Sequence, residues 1–514
     1  MSRYFNTAGP CQPEQHYFIP PEHRLSGVRA LIDKALFFVL HAPRQTGKTT
    51  LLNTLARSLN QEGRYAALVV DVEFLQRITD AKEGNLALID RIYRSGCEKL
   101  PERVHPLDPA PFRDSPLQAL HDYLRAWSKG CPTPVILLID EIDSLSEDLL
   151  ISVLRQLRMG YADRPAPFVH SLALVGLRDV RDYKARVREE RDTLCSASPF
   201  NIKSDSLTLR NFTAAEVAEL YTQHTAETGQ VFQPEAVQLA YDLTRGQPWL
   251  VNALARQMVE EDVPDRTQLI TPAHVEAAKE SLILRRDTHL DSLSERLREA
   301  RVRRVIEPIL VGSTMAMDTM NDDLLYVRDL GLIETTPQLA IANPIYQEVI
   351  PRSLTFVMQA NITHDSQWYT RPDGSLDMPA LLRAFQEFFA EHSEAWLERF
   401  DYKEAGPHLI LMAFLQRVVN HGGCLHREFA VGSGRADVVV EWRGSKYVLE
   451  LKLWRGERTL RQGVEQLSRY LQRLGEQEGY LVLFDRVSGK SWEEKLYEQE
   501  CEGPQGQRIH IFGV

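Results

Sequence analysis

The stretch His41-Ala42-Pro43-Arg44-Gln45-Thr46-Gly47-Lys48-Thr49-Thr50 decides the fold of the N-terminal half of this chain. It follows Ala35-Leu36-Phe37-Phe38-Val39-Leu40, an uninterrupted apolar run of strand length, the pattern of a strand buried on both faces. It runs into Lys48-Thr49-Thr50-Leu51-Leu52-Asn53-Thr54-Leu55, whose apolar residues recur at helical spacing. A buried strand, a glycine-containing loop and a helix start, in that order, converge main-chain N–H groups and the positive end of a helix dipole on one point. That point suits the β-phosphate of a nucleotide. Ala42, Pro43, Arg44, Gln45, Thr46, Gly47, Lys48, Thr49 and Thr50 are the nucleotide-binding residues on this reading. Lys48 would reach the β- and γ-oxygens of ATP, and the Thr49 hydroxyl would ligate Mg²⁺.

A second apolar run, Val135-Ile136-Leu137-Leu138-Ile139, ends in Asp140-Glu141-Ile142-Asp143. Open α/β sheets place ligands at the carboxyl ends of their strands, where these acids would stand. Asp140 is expected to bind the Mg²⁺–water shell and Glu141 to polarise the attacking water. Tyr65 to Asp71 and Ser171 to Gly176 read as two more buried strands. The loop and the acid-tipped strand, Walker A and Walker B patterns, resemble the AAA-like branch of P-loop NTPases. The nearest likeness is to archaeal-type ATPases with origin-recognition-like lids, over roughly residues 20–352. The resemblance places a γ-phosphate sensor just after Gly176, with Arg178 the nearest polar candidate and a plain surface arginine the equal alternative. The usual first glycine of the loop is replaced by Ala42. Arg155, Arg158 and Arg164 lie where an arginine reaching a neighbouring subunit's nucleotide would come from, and the sequence does not choose among them.

From Phe212 the chain turns helical, with Thr213 and Glu216 spaced as a capping box. Gly246-Gln247-Pro248-Trp249-Leu250-Val251-Asn252 resembles the family's lid segment. Residues 301–310, 322–332 and 339–346 resemble a winged helix. Asp322, Asp323 and Asp329 stand against a lone Arg328 on the helix, second or third of such a module, that would enter a groove, which disfavours tight groove binding. A protein-contact or autoinhibitory role, or a homo-oligomer contact, fits that surface better. The stretch Arg296 to Arg304 is more basic, but Glu295 and Glu299 make it a solvated helix face.

The C-terminal part carries a different chemistry. Leu381 to Phe400 reads as a bridging helix and Leu409 to Leu415 as an apolar helix. Cys424 to Val431 reads as a strand, and Gly434-Arg435-Ala436 as a tight approach. Asp437 to Trp442 and Lys446 to Lys452 then form a hairpin about Arg443-Gly444-Ser445. Strand alternation puts Glu450 and Lys452 on one face with Val448, and the hairpin brings Asp437 towards it. Two such carboxylates repel by several kcal/mol in a partly buried site, about 4 kcal/mol for charges ~4 Å apart. A divalent ion, Mg²⁺ or Mn²⁺, held by Asp437, Glu450 and the Leu451 carbonyl would resolve the conflict. Lys452 would position or deprotonate the attacking water. Asp437 with Glu450-x-Lys452 resembles the PD-(D/E)xK phosphodiesterase superfamily. Gln466-Leu467-Ser468-Arg469-Tyr470 matches the QxxxY pattern of its RecB-like members, which makes Gln466 and Tyr470 accessory residues. Arg455, Arg458, Arg461, Arg469 and Arg473 add a local positive patch. Two departures are a missing proline (Ala436 precedes Asp437) and the lack of a clear upstream helical acid, Glu404 being nearest.

A net charge of −11 excludes indiscriminate coating of nucleic acid, so any contact must use such local patches. Six scattered cysteines without a CxxC pair supply neither a zinc site nor a disulfide framework. No apolar run reaches bilayer length and the N-terminus lacks a secretory apolar region, so the expected location is cytoplasmic, with no membrane partner. One P-loop without a second motor domain argues against a helicase. The expected architecture is α/β and multidomain. An ATPase core spans 20–205, a helical lid 206–290, a winged-helix-like domain 291–352 and bridging helices 353–400. A restriction-endonuclease-like nuclease domain spans 401–514. The expected function is metal-dependent cleavage of nucleic acid, DNA in the first instance, under ATPase control in DNA defence or processing. The alternative is a signalling or regulatory NTPase whose C-terminal domain binds nucleic acid or a protein without cutting.

Overall fold

A computed structural model describes residues 3–164, 166–177, 203–285, 288–310, 321–336, 338–354, 369–397, 407–408, 410–412, 414–415, 423–431, 434–485 and 490–514. The chain divides into two compact units, one of residues 1–289 and 318–334, the other of 290–317 and 335–514.

In the first unit, α1 (Val28–Asp33), β1 (Phe37–His41) and α2 (Lys48–Gln61) lead into β2 (Ala66–Asp71), α3 (Ala81–Lys99) and α4 (Ala119–Gly130). β3 (Val135–Asp140), α5 (Glu147–Ala162), β4 (Ser171–Gly176) and β5 (Lys203–Thr208) complete the core. The five strands form one parallel sheet in the order β2-β3-β4-β1-β5. Alternation along each strand, with both faces covered, explains why β1 to β4 are mostly apolar. Phe37, Val39, Leu68, Leu137 and Ile139 pack with side chains such as Leu88, Leu120, Trp127 and Leu149 on one face. Phe38, Leu40, Ala67 and Leu138 pack with Leu51, Leu55 and Leu59 on the other.

A helical segment follows: α6 (Ala214–Thr228), α7 (Pro234–Thr244), α8 (Pro248–Arg256) and α9 (Pro272–Arg285). The capping box at α6 is present, with Thr213 Oγ1 accepting from Glu216 N and Glu216 accepting from Thr213 N. Beyond it the chain carries α10 (Thr288–Arg296), α11 (Ala300–Leu310), α12 (Asp322–Asp329), β6 (Ile333–Glu334), β7 (Ala340–Ile341) and α13 (Pro344–Leu354). The division into compact units runs through this stretch, leaving α12 and β6 with the first unit.

The second unit contains α14 (Met378–Leu397) and a six-stranded sheet. Its strands are β8 (Gly423–Val431), β9 (Gly434–Trp442), β10 (Ser445–Leu453), β11 (Glu478–Phe484), β12 (Tyr497–Glu502) and β13 (Arg508–Gly513). The order is β12-β13-β11-β10-β9-β8. β8, β9 and β10 are antiparallel, β10, β11 and β13 run parallel, and β12 is antiparallel at the edge. The described residues between 407 and 415 are helical. Gly434-Arg435-Ala436 is not the tight approach expected from sequence. These residues are already in β9, paired with Val431, Ala430 and Phe429 of β8, because the neighbouring strand supplies a full ladder. The hairpin turn is the two residues Arg443-Gly444, both at positive φ, with Trp442 opposite Ser445. α15 (Glu457–Leu474) crosses from β10 to β11 and buries Leu467, Tyr470 and Leu471 against Val439, Val448, Leu481, Ile509 and Ile511. No helix among the described residues is long and apolar enough to cross a membrane, and Cys11, Cys97, Cys131 and Cys501 form no disulfide.

Candidate functional site

Among the described residues, buried charged side chains gather at the loop end of the first unit's sheet and beside β9 and β10 in the second unit. In the first, β1 delivers the chain into the loop and α2 begins at Lys48, with Gly47 at φ +93° immediately before it. Gln45 also has positive φ, whereas Ala42 does not, so the missing first glycine costs the loop nothing. Lys48 is only 6% exposed. Its Nζ donates to the carbonyls of Ala42 (2.8 Å) and Pro43 (3.0 Å). Burial pulls the ammonium below its ordinary range, opposed by the carboxylates of Glu141, Asp140 and Asp143.

Parallel pairing of β3 with β4, and of β4 with β1, carries the acid-tipped end of β3 to the same edge of the sheet as the loop. Asp140 is 1% exposed, and its Oδ2 accepts from the Thr49 hydroxyl at 2.7 Å. The two expected Mg²⁺ ligands are therefore in contact, and a buried carboxylate beside a hydroxyl oxygen is a donor set suited to that ion. Burial raises the Asp140 carboxyl. Glu141 sits at φ +57°, an uncommon backbone state for a side-chain-bearing residue, and burial raises its carboxyl to about 7. Asp143, to which the sequence reading gave no role, accepts from Leu177 N at 3.2 Å and so fastens the end of β4 to the acidic turn.

Other residues support the loop without any local sequence signal. Arg24 Nη2 donates to Thr46 O at 2.7 Å. Gln247, the residue before α8, reaches Gln45 O at 3.5 Å. Gly331 lies so close that an added Cβ would stand 2.6 Å from Pro43 Cγ. Cys11 N donates to Thr50 Oγ1 at 3.0 Å. Arg164 is not available to a neighbouring subunit. Its guanidinium donates to Ala35 O, Val169 O and His170 O and lies over the rings of Phe37 and Tyr161. It is tethered at the start of β1, the end away from the loop. Arg178 and Glu404 lie outside the described residues.

In the second unit, β9 and β10 pair with Val439 opposite Val448 and Val438 opposite Leu449. Two residues along each strand, Asp437 and Glu450 share the face of Val439 and Val448, the face covered by α15. Asp437 Oδ2 accepts from Leu451 N at 2.9 Å. Lys452 Nζ lies 2.6 Å from Glu450 Oε1. Glu450 is fully buried at 0% exposure, with the Lys452 ammonium and the Asp437 backbone as its close partners. Burial, reinforced by Asp437, raises its carboxyl to about 8. Burial works against the charge on Lys452, but Glu450 and Asp437 outweigh it and lift the ammonium. Gln466 Nε2 donates to the Tyr470 hydroxyl at 2.8 Å, and that phenol is near enough to Lys452 to affect its proton affinity. Asp437, Glu450, Lys452, Gln466 and Tyr470 are thus drawn together. Arg455, Arg458, Arg461, Arg469 and Arg473 are exposed on α15 and just before it.

A fully buried carboxylate beside a second one fits a divalent ion, because oxygen ligands at such a point lose their mutual repulsion when a cation joins them. Among the described residues, however, no group of three or more His, Cys, Asp or Glu is arranged to hold a metal. The fit rests on the two carboxylates, Asp437 and Glu450.

Residues 32–183 match a family model described as an AAA domain. Among solved structures, a Walker-type ATPase of Pyrococcus abyssi aligns at 14% identity, covering 67% of this chain and 99% of that one, with a TM-score of 0.46. The Holliday junction branch migration motor RuvB of Thermotoga maritima aligns at 15% identity, covering 63% and 91%, with a TM-score of 0.34. Cdc6p of Pyrobaculum aerophilum aligns at 18% identity, covering 62% and 87%, with a TM-score of 0.33. No curated protein sequence matches the chain. The phosphate loop, the acid-tipped strand beside it and the matched domain model agree: the N-terminal part of this chain is an AAA-type P-loop ATPase domain.

Proposed function

We propose that this chain is an ATP-controlled, metal-dependent nuclease in which the ATPase domain licenses cleavage by the C-terminal domain. The observation that carries the nuclease half is Glu450: a fully buried carboxyl facing a second carboxylate, Asp437, and paired with Lys452. A structural core has no use for such a group, since an apolar residue of that size is cheaper to bury.

In the ATPase half, loop N–H groups hold the phosphates and Lys48 exchanges its loop carbonyls for phosphate oxygens. Thr49 and Asp140 hold Mg²⁺, and Glu141 orients the attacking water. In the nuclease half, Asp437 and Glu450 hold Mg²⁺ or Mn²⁺, which supplies Lewis acidity at the scissile phosphate. The Leu451 N–H fixes Asp437. Lys452 offsets charge that builds on the phosphate and orients water, and Tyr470 with Gln466 fixes the Lys452 side. The exposed arginines of α15 meet the nucleic-acid backbone. DNA is the proposed substrate, with defence or processing of DNA as the setting, and the protein is proposed to work in the cytoplasm.

One observation favours a second reading, a regulatory NTPase whose C-terminal domain binds nucleic acid or protein without cutting. No third acidic or imidazole ligand joins the pair among the described residues. Purified protein with ATP and Mg²⁺ or Mn²⁺ is to be tested on linear, circular and single-stranded DNA and on RNA. Cleavage that disappears in both Asp437→Ala and Glu450→Ala supports the nuclease. Intact substrates throughout, or cleavage that survives both changes, favours the second reading.

A further inference from the structure

A loop that turns its N–H groups inward to meet a phosphate must turn carbonyls outward, and those carbonyls need donors. Here the donors come from three places. Lys48 serves Ala42 O and Pro43 O, and the Thr46 hydroxyl also serves Pro43 O. Arg24 serves Thr46 O, and Gln247 reaches Gln45 O only at 3.5 Å, the outer limit of a hydrogen bond. When Lys48 turns to a nucleotide, its two carbonyls lose that donor. Arg24 is then the strongest external tie on the loop.

Arg24 does not end at the loop. Its Nε and Nη2 both donate to Arg210 O, at 2.8 and 2.5 Å, and its guanidinium lies 4.7 Å from the centre of the Phe212 ring. Those residues are the root of the helical segment. The Arg210 side chain forms a two-pronged pair with Glu216 (2.6 and 2.8 Å), which also caps α6. Phe212 N donates to Gly246 O at 2.8 Å, and Gly246 packs so tightly that a Cβ would fall 1.9 Å from Phe212 O. Gly246 immediately precedes Gln247, so both ties to the loop lead back to one rigid root. Arg24 itself is 5% exposed, so its position is fixed by these partners rather than by solvent.

We infer that Arg24 is a positioning residue that couples the phosphate loop to the root of the helical lid, so that filling the loop with nucleotide resets the lid. The fork of a guanidinium is required, because one planar group must serve the loop carbonyl and the lid-root carbonyl together. An ammonium satisfies one carbonyl at a time. The inference rests on the loop being a nucleotide site.

The test uses the full chain and two readouts, ATP binding and amide hydrogen exchange across residues 214–256 with and without ATP–Mg²⁺. In the wild type, ATP is expected to change exchange in these helices. In Arg24→Lys, ATP affinity is expected to fall about tenfold, the effect of losing one charged tie, and the exchange change is expected to vanish. Saturating ATP restores occupancy but not the lid response, which a merely structural role would not produce. If Arg24→Lys is poorly folded, Glu216→Gln frees the lid root from the other side and is expected to weaken the same response. A lid that responds to ATP alike in wild type and Arg24→Lys overturns the coupling. Wild-type protein that binds no ATP at all overturns the nucleotide site instead.

Discussion

Replacing Glu450 by Gln is expected to stabilise the metal-free C-terminal unit at pH 7.5, although it weakens the contact with Lys452. Burial and Asp437 hold the Glu450 carboxyl at about 8, against about 4.5 in an unfolded chain. A carboxyl raised in the folded state contributes stability that is intact below pH 4.5 and is lost progressively as pH rises towards 8. At pH 7.5 the fold therefore carries a burden of about 4 kcal/mol, three pH steps at about 1.4 kcal/mol each, relative to its most favourable pH. Glutamine keeps the shape and removes the proton requirement. Allowing for the weakened contact with Lys452, about 2 kcal/mol of net stabilisation should remain, enough to raise the melting temperature of a unit this size by about 5 °C. The assay is thermal unfolding of wild type and Glu450→Gln from pH 5 to 8.5, with chelator and then with Mn²⁺. The wild type should lose stability with rising pH in chelator and regain it with Mn²⁺, by about 2.7 kcal/mol at a hundredfold excess over the dissociation constant. The variant should show a flatter pH profile and little response to Mn²⁺. A variant that melts below the wild type in chelator at pH 7.5, or a wild type indifferent to Mn²⁺ and Mg²⁺, refutes this reasoning.

Lys48→Ala should reduce ATP hydrolysis by about a hundredfold or more, read as phosphate release, because it removes the buried ammonium that the proposed mechanism turns to the phosphates. Gly176→Ala should lower kcat about tenfold while leaving KM for ATP nearly unchanged. An added Cβ there stands 2.5 Å from Asp143 Oδ1 and must push the Asp143 carboxylate away from Leu177 N. Unchanged kcat would show that Asp143 moves freely. Glu216 is held at about 2, first by its bond from Arg210 and then by Thr213. Its contribution is therefore complete above about pH 4.5 and is lost as pH falls towards 2. Glu216→Gln should cost about 1–2 kcal/mol at pH 7 and progressively less at lower pH in urea unfolding, and a pH-independent cost would exclude the ion pair as its source.

The features legible in the sequence are those fixed within one strand or one turn of helix. Phe37 to Leu40 and Val135 to Ile139 read as buried strands because both of their faces are apolar, and both faces are covered. The Thr213–Glu216 box needs only four consecutive residues, and the Arg443-Gly444 turn only two. The pairing of Thr49 with Asp140 followed from the fixed place of strand ends in a parallel sheet. What escaped is long-range. Arg24 is one of 60 Lys and Arg residues, and nothing local distinguishes it from Arg29 five residues on, which forms a surface ion pair with Glu62. Its role exists only because the chain returns at Arg210 and Phe212. Arg164 was a reasonable finger candidate by position in sequence, yet the carbonyls of Ala35, Val169 and His170 claim it. Gly434 to Ala436 read as a tight approach, but they are paired with Val431, Ala430 and Phe429 of β8, a partner the local sequence does not show.

The most direct test of the link between the two phosphate chemistries is cleavage of labelled DNA by the full chain, with and without ATP, in Mg²⁺ or Mn²⁺. Wild type, Lys48→Ala and Asp437→Ala are to be compared on the same substrates. The expected result is cleavage by the wild type that changes with ATP, cleavage by Lys48→Ala that does not, and none by Asp437→Ala. Cutting by Asp437→Ala at the wild-type rate, or no cutting by any of the three under any metal and nucleotide condition, would contradict it.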